Sequence, residues 1–305
     1  MTKKAIFIAL VFMNFIVISY LVFFRSEKLA TQYLTIERNH SYIYNEELTI
    51  KYPIYFNRIN HLFQTDDIEI IMLSDNSGMK KLAIDLEAIY FQGVTEYKRT
   101  NYFIYQFLFK LPNLQNDFYL NGAILVITNK LSQSLIINLG EFDMHYIENI
   151  GKPAHLTIED LFGITNEFNN SINLAGIITK INQKNNLVTI TDIVIASNFV
   201  SIDSKHIMKL THGDYSNTLD IESIIGKSYD FFGEKEKFEA INLNSSTYLF
   251  LPLKYQRNIL FDTSYLIINY FYDNIEYVYY LDNFNFFTIN NLNLIEGVVQ
   301  INALN

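Results

Sequence analysis

Cysteine and tryptophan are absent from this chain, and glycine and proline are scarce, at 11 and 4 of 305 residues. Without thiols there is no disulfide framework, no thiolate metal site, no cysteine nucleophile and no cysteine to accept a lipid. A secreted eukaryotic chain of this length ordinarily carries disulfides, so their absence fits an anchored bacterial protein better. So little glycine and proline excludes collagen-like repeats and the low-complexity linkers built from those residues. Positive charge is also short: 23 Lys and Arg against 32 Asp and Glu give a net charge of −9. Nucleic acid and anionic lipid need basic patches, and no basic run offsets the balance. Neither is expected as a principal ligand.

What is abundant is apolar. Hydrophobic residues make up 50% of the chain and aromatic residues 15%, a composition that folds. Heavy use of Asn, Ile, Lys, Phe and Tyr matches an AT-rich genome, and a low-GC Gram-positive bacterium is the expected source. Residues 5–24, AIFIALVFMNFIVISYLVFF, carry no formal charge and lie between Lys3-Lys4 and Arg25. At about 1.5 Å of rise per residue, a helix of that length crosses a hydrocarbon core of about 30 Å. The spacing predicts a transmembrane anchor with a cytoplasmic tail and an extracytoplasmic remainder. A cleaved signal peptide is the alternative. Its apolar region usually runs about 7–15 residues before a small-x-small site; Phe23-Phe24-Arg25 offers none, and cutting after Val17-x-Ser19 would leave an exposed apolar stub, Tyr-Leu-Val-Phe-Phe. Asn14 falls near mid-membrane, where an amide can hydrogen-bond to another helix.

Beyond residue 40 strand patterns dominate. In residues 102–111 Phe103, Tyr105, Phe107, Phe109 and Leu111 alternate onto one face, the period of two expected of a strand. Similar stretches recur to residue 281, separated by turn chemistry such as Ser74-Asp-Asn-Ser-Gly78 and Asp273-Asn274. A constant offset of 140 residues places Leu48-Thr49-Ile50 on Val188-Thr189-Ile190, Phe91-Gln-Gly93 on Phe231-Phe-Gly233 and Leu111-Pro112 on Leu251-Pro252. This self-similarity predicts a duplicated unit. The expected fold is mostly β, two tandem β-sandwich domains of immunoglobulin-like architecture behind an N-terminal transmembrane helix. The organisation reads as tail 1–4, anchor 5–24, a stalk over 25–40 continuing the anchor helix, and a first sandwich over 41–150. A connector with a short helix follows over 151–175, then a second sandwich over 176–305. Thr157 and Asp160 supply the capping-box spacing for that helix.

Chemistry is thin. The histidines at 40, 61, 145, 155, 206 and 212 include no i, i+4 pair around a glutamate, so no metal site is expected. His206, His212 and Asp214 could meet only if a hairpin joined them; polar loop residues is the better reading. No serine occupies a Gly-x-Ser-x-Gly elbow and no phosphate loop is present, so no cofactor is expected. The acid pairs Asp66-Asp67, Asp85 with Glu87, and Glu234 with Glu236 are of a type that hydrolyses glycans, and also of a type common on acidic surfaces. Aromatics are the abundant candidates. Tyr270, Tyr272, Tyr277 and Tyr279 on one hairpin are the expected partner-contact set, against cross-strand aromatic pairing inside the sheet. The leading expectation is therefore a single-pass extracytoplasmic binding or scaffold protein. It would be an accessory subunit of a bacterial envelope complex for transport, secretion or cell-wall assembly. The alternatives are a surface glycan-active enzyme using carboxylates, and a glycan or peptide receptor.

Overall fold

The computed structural model describes residues 31–148, 155–168, 171–183, 187–210, 238–243, 246–257, 259–285 and 292–304. The anchor run 5–24, with Asn14, lies outside them. Among the described residues no helix is long and apolar enough to cross a membrane.

The first half supplies β1 (Gln32–Ile36), β2 (Arg38–Tyr44), β3 (Leu48–Phe56), β4 (Ile68–Ser74), β5 (Lys81–Ala83) and β6 (Asp85–Tyr97). It continues with β7 (Thr100–Leu111), β8 (Phe118–Asn129) and β9 (Ser134–Tyr146). The second half supplies β10 (Leu156–Phe168), β11 (Ser171–Gln183), β12 (Val188–Ile195), β13 (Val200–Ile202) and β14 (Met208–Leu210). Then come β15 (Ile241–Leu243), β16 (Thr247–Tyr255), β17 (Leu260–Tyr272), β18 (Ile275–Asn285) and β19 (Val299–Ala303). The chain is mostly β, as its alternating apolar pattern requires.

Three sheets result, one of which serves both halves. The order β19-β1-β3-β7-β6 faces the β2-β9-β8-β4-β5 portion of a nine-stranded sheet. The order β10-β11-β16-β13, with β14 also on β16, faces the β15-β12-β17 portion, to which β18 adds. Each half is thus a sandwich: β1, β3, β7 and β6 share one sheet of the first, β10, β11, β16 and β13 share the corresponding sheet of the second, and the facing layer of each belongs to the nine-stranded sheet. That is the immunoglobulin-like strand order. The inward alternation of β8 and β9 puts Leu125, Ile127, Leu135 and Ile137 into the first core with Phe107 and Phe109. Ile177, Leu251, Leu266, Ile268 and Tyr270 fill the second.

The nine-stranded sheet is continuous because β2 pairs in parallel with β9 on one side and with β17 on the other. Asn283 extends this joint by accepting from the Ile43 N–H (2.8 Å) and donating to the Ile43 carbonyl (2.9 Å). Gly140 stands opposite Arg38 with φ +88°, where a Cβ would lie 2.9 Å from the Arg38 carbonyl oxygen. Only a residue without a side chain fits both that backbone and that approach.

Four sequence expectations are corrected. The helical stalk over 25–40 gives way, from Gln32 on, to β1 and β2. Their Tyr, Thr and Ile content favours a pleated, half-buried surface. The connector helix is absent too: Leu156–Phe168 is β10, paired with β11 along its length. A bulge between Ile158 and Asp160 shifts the alternation, so Ile158 and Leu161 both meet the core at a spacing of three that imitates a helix. The offset of 140 residues fits only the last strands, β7, β8 and β9 onto β16, β17 and β18. It fails at the start, because β3 lies between β1 and β7 whereas β12 lies against β17 in the other sheet. The counterpart of β3 is β11. Gly233 lies outside the described residues. Finally, β19 does not stay with the second half but pairs with β1 in register from Gln32↔Ala303 to Ile36↔Val299.

Candidate partner-binding surface

The tyrosine-rich hairpin turns its expected contact set inward. In β17 and β18, Tyr270 is 0% and Tyr279 5% exposed, both within the second core, and Tyr272 and Tyr277 pack half-buried against it. They form an aromatic cluster under the sheet. Tyr270 and Tyr277 stack at 5.6 Å, and His155 stacks on Tyr272 at 3.9 Å. Burial pushes the Tyr270 hydroxyl up to about 12. The outward positions of that hairpin carry Phe271 and Val278 instead. Alternation made one face aromatic and left the choice of face to the register, and the register buries the tyrosines.

A broader apolar surface lies on the first sandwich. The ladders set Ala83 opposite Met72, Met72 opposite Val126 and Val126 opposite Ile136, a row crossing β5, β4, β8 and β9. These are the positions between the core residues Ile71, Leu73, Leu125, Ile127, Leu135 and Ile137, so they point away from the core. Ile136 is 53% exposed, and Ile70 beside the row is 51% exposed. The Tyr33 hydroxyl holds the lower part of β9, donating to the Ile136 carbonyl and accepting from its N–H, each at 2.9 Å. The row is therefore presented on a fixed backbone.

Where the halves meet, the same sheet carries charge. Glu141 is fully buried and accepts from the Asn198 N–H (2.5 Å) and the Ser197 hydroxyl (2.9 Å). Burial raises its pKa against those two bonds. Two residues on, Asp143 is pushed up to about 6 by burial and then by Glu141, with His145 opposing. His145 itself pairs with Asp117 at 2.9 Å and stacks on Tyr265 at 6.3 Å. Arg257 reaches Glu37 at 2.7 Å and lies 3.9 Å over the Phe199 ring. The carboxylate of Glu141 is committed to the 197–200 loop, and the cluster acts as a clasp between the sandwiches.

The acid pairs read from the sequence are not brought together into a site. Asp66 and Asp67 lie on a 3-10 turn, and Asp85 and Glu87 lie exposed on the edge strand β6, opposite Lys110 and beside Thr49. Glu234, Glu236, His212 and Asp214 fall outside the described residues. His206 meets Asp203 at 2.7 Å, and Lys254 shares that carboxylate at 3.1 Å. His40 sits wholly inside the first core, and burial lowers its pKa to about 3, so it is neutral there. Among the described residues no three His, Asp or Glu side chains gather in a way that could hold a metal ion. A pocket of about 240 Å³ opens at the end where the fold begins, lined by Thr31, Phe56, Ile59, Leu62, Phe63 and Leu304 with Arg58 and His61.

No known protein-family profile matches the chain, and no curated protein matches it. Among solved structures it is similar to a titin fragment, 11% identical, over 83% of this chain and 97% of that one, with a TM-score of 0.19. It is likewise similar to the C-terminal domain of the Streptococcus agalactiae AgI/II polypeptide BspA, 9% identical, over 83% and 99% of the chains, with a TM-score of 0.17. Superposition scores this low say nothing of function.

Proposed function

We propose that this chain is a single-pass membrane protein whose two sandwiches lie outside the cytoplasm and hold a protein partner in a bacterial envelope complex. The observation that carries this reading is the order of parts. A twenty-residue uncharged run ends at Phe24, and Gln32 opens the first strand of a two-sandwich body. Such a body, with its sandwiches clasped through one sheet, suits positioning better than chemistry. The Ala83–Met72–Val126–Ile136 row, exposed at Ala83 and Ile136 and half-buried between them, is the contact surface, since a contiguous apolar patch on the surface marks a protein interaction site. Asn14 would add a contact within the membrane.

The test is made on the full chain in its native membrane. A reporter active only outside the cytoplasm, fused after Asn305, is active, and the protein resists alkaline washing. A photo-crosslinking residue at position 136 gives a discrete adduct that Ile70→Asp abolishes while thermal unfolding is unchanged. A soluble product shortened to near residue 20, or no adduct from position 136, defeats the reading.

A further inference from the structure

We infer that the pole of the first sandwich where the fold begins rests on the lipid surface, with the side chains of Ile59 and Leu131 inserted between lipids. This inference rests on the anchored topology proposed above and adds to it a second, peripheral contact with the membrane.

Two turns build this pole. The first joins β3 to β4 and carries Arg58, Ile59, Asn60 and His61. Asn60 is buried and fixes it: its Nδ2 donates to the Phe63 carbonyl (2.6 Å), and its Oδ1 accepts from the N–H groups of Leu62 (3.2 Å) and Phe63 (2.9 Å). The second turn joins β8 to β9 and carries Lys130 and Leu131. Asn129 is its counterpart, accepting through Oδ1 from the N–H groups of Leu131 (3.0 Å) and Gln133 (2.9 Å). The Asn129 Nδ2 also donates to the Leu62 carbonyl at 2.9 Å, locking the two turns side by side. Each buried asparagine spends its amide on holding a tip, and each tip ends in a bare aliphatic side chain. Ile59 is 55% exposed and Leu131 71%.

The chain leads from the apolar run straight to this pole. Thr31 lines the same pocket as Ile59, and residues 25–30 are all that separate it from Phe24. Six residues reach at most about 20 Å fully extended, so an inserted anchor holds the pole within reach of the headgroups. Leu304 lies there too, donating its N–H to the Thr31 carbonyl at 2.8 Å, while β17 of the second sandwich pairs with β2 from Leu260 opposite Arg38 and runs parallel to it, away from this pole. Charge does not drive the contact. Arg58 and Lys130 are exposed at the pole, but Asp66 and Asp67 follow in the first turn. The apolar tips carry it, so binding should depend little on anionic lipid or on salt.

The absence of tryptophan makes the test direct. Single-tryptophan variants of the full chain, Val17→Trp, Ile59→Trp, Leu131→Trp and Val278→Trp, are reconstituted in phosphatidylcholine vesicles with and without brominated acyl chains. Expected is loss of emission for Val17→Trp, Ile59→Trp and Leu131→Trp but not for Val278→Trp. The loss at 59 and 131 should be equal when phosphatidylglycerol is added or salt is raised. Quenching at 17 without quenching at 59 and 131 overturns the inference and leaves the anchor standing. No quenching at 17 removes the anchor, and this inference with it. Quenching at 278 equal to that at 59 and 131 also overturns it, since no one pole is then favoured.

Discussion

Glu141 of β9 and Asn198 of the loop after β12 meet at 2.5 Å, carboxylate oxygen to backbone N–H, across the boundary between the two sandwiches. A fully buried carboxylate spent on one loop is a structural device. It fixes residues 197–200 against the shared sheet, and the Ser197 hydroxyl passes the constraint on by accepting from the N–H groups of Phe199 and Val200. Replacing it tests the clasp. Glu141→Ala leaves buried donors without an acceptor, at a cost of about 1–3 kcal/mol. Glu141→Gln keeps an acceptor oxygen and should lose much less. Thermal unfolding of the two variants at neutral pH separates them, and equal losses would mean that packing, not hydrogen bonding, closes the junction.

One half-buried and one buried group give the protein opposed pH dependences. Asp143 has a folded pKa near 6, raised above its unfolded value, so its contribution is full at acid pH and is lost as pH rises through 6. Asp143→Asn should therefore raise stability at pH 8 by about 1–2 kcal/mol, allowing for its partial exposure, and leave it unchanged at pH 4. His40 acts the other way. Its folded pKa near 3 lies below the unfolded value, so stability falls as pH drops from about 6.5 toward 3, by about 1.4 kcal/mol per unit. His40→Gln should flatten that limb. Urea titrations of each variant across pH 3–8 check both signs.

The C-terminal segment belongs to the first sandwich, contrary to a boundary that gives residues 176–305 to the second. Leu292, Ile295 and Val298 cover Leu34, Ile36, Tyr55, Tyr97 and Tyr102, and β19 then closes the β1 edge. Truncation after residue 291 should therefore destabilise the first half. Hydrogen exchange should show lost protection in β1 and β3, with β12 and β16 unaffected. Loss confined to the second half would place the segment wrongly.

The fold class was legible because strands such as β7 and β8 alternate cleanly, one face buried and the other half-buried. Boundaries were less so. A bulge gives β10 the apolar spacing of a helix, and nothing in Gln32–Ile36 says that its partner is the strand at the far end of the chain. The exposed row was hidden for a different reason. Ile70 and Ile136 lie in stretches that are apolar on both faces, Ile-Glu-Ile-Ile-Met-Leu and Leu-Ile-Ile, which read as buried throughout. In the tyrosine hairpin both alternating sets are large, and only the pairing of Tyr270 with Tyr277 beneath the sheet decides which set is core.

That decision makes a direct contrast between neighbours. Tyr270 is wholly buried while Phe271, one residue on, is 40% exposed on the opposite face of β17. Truncating a core aromatic costs about 3–5 kcal/mol, from lost burial and the cavity left behind. A surface replacement away from special features changes stability by about 0.5 kcal/mol or less. Tyr270→Ser should consequently lower the Tm severely, with Tyr279→Ser close behind, and Phe271→Ser should leave it nearly unchanged. Tyr272→Ser and Tyr277→Ser should fall between, because both are half-buried and pack on His155, Tyr272 stacked and Tyr277 tilted. Calorimetry of the five variants settles the facing of the hairpin. If Phe271→Ser proves as damaging as Tyr270→Ser, the outward face of this hairpin is covered, and the sheet continues into another packed layer there.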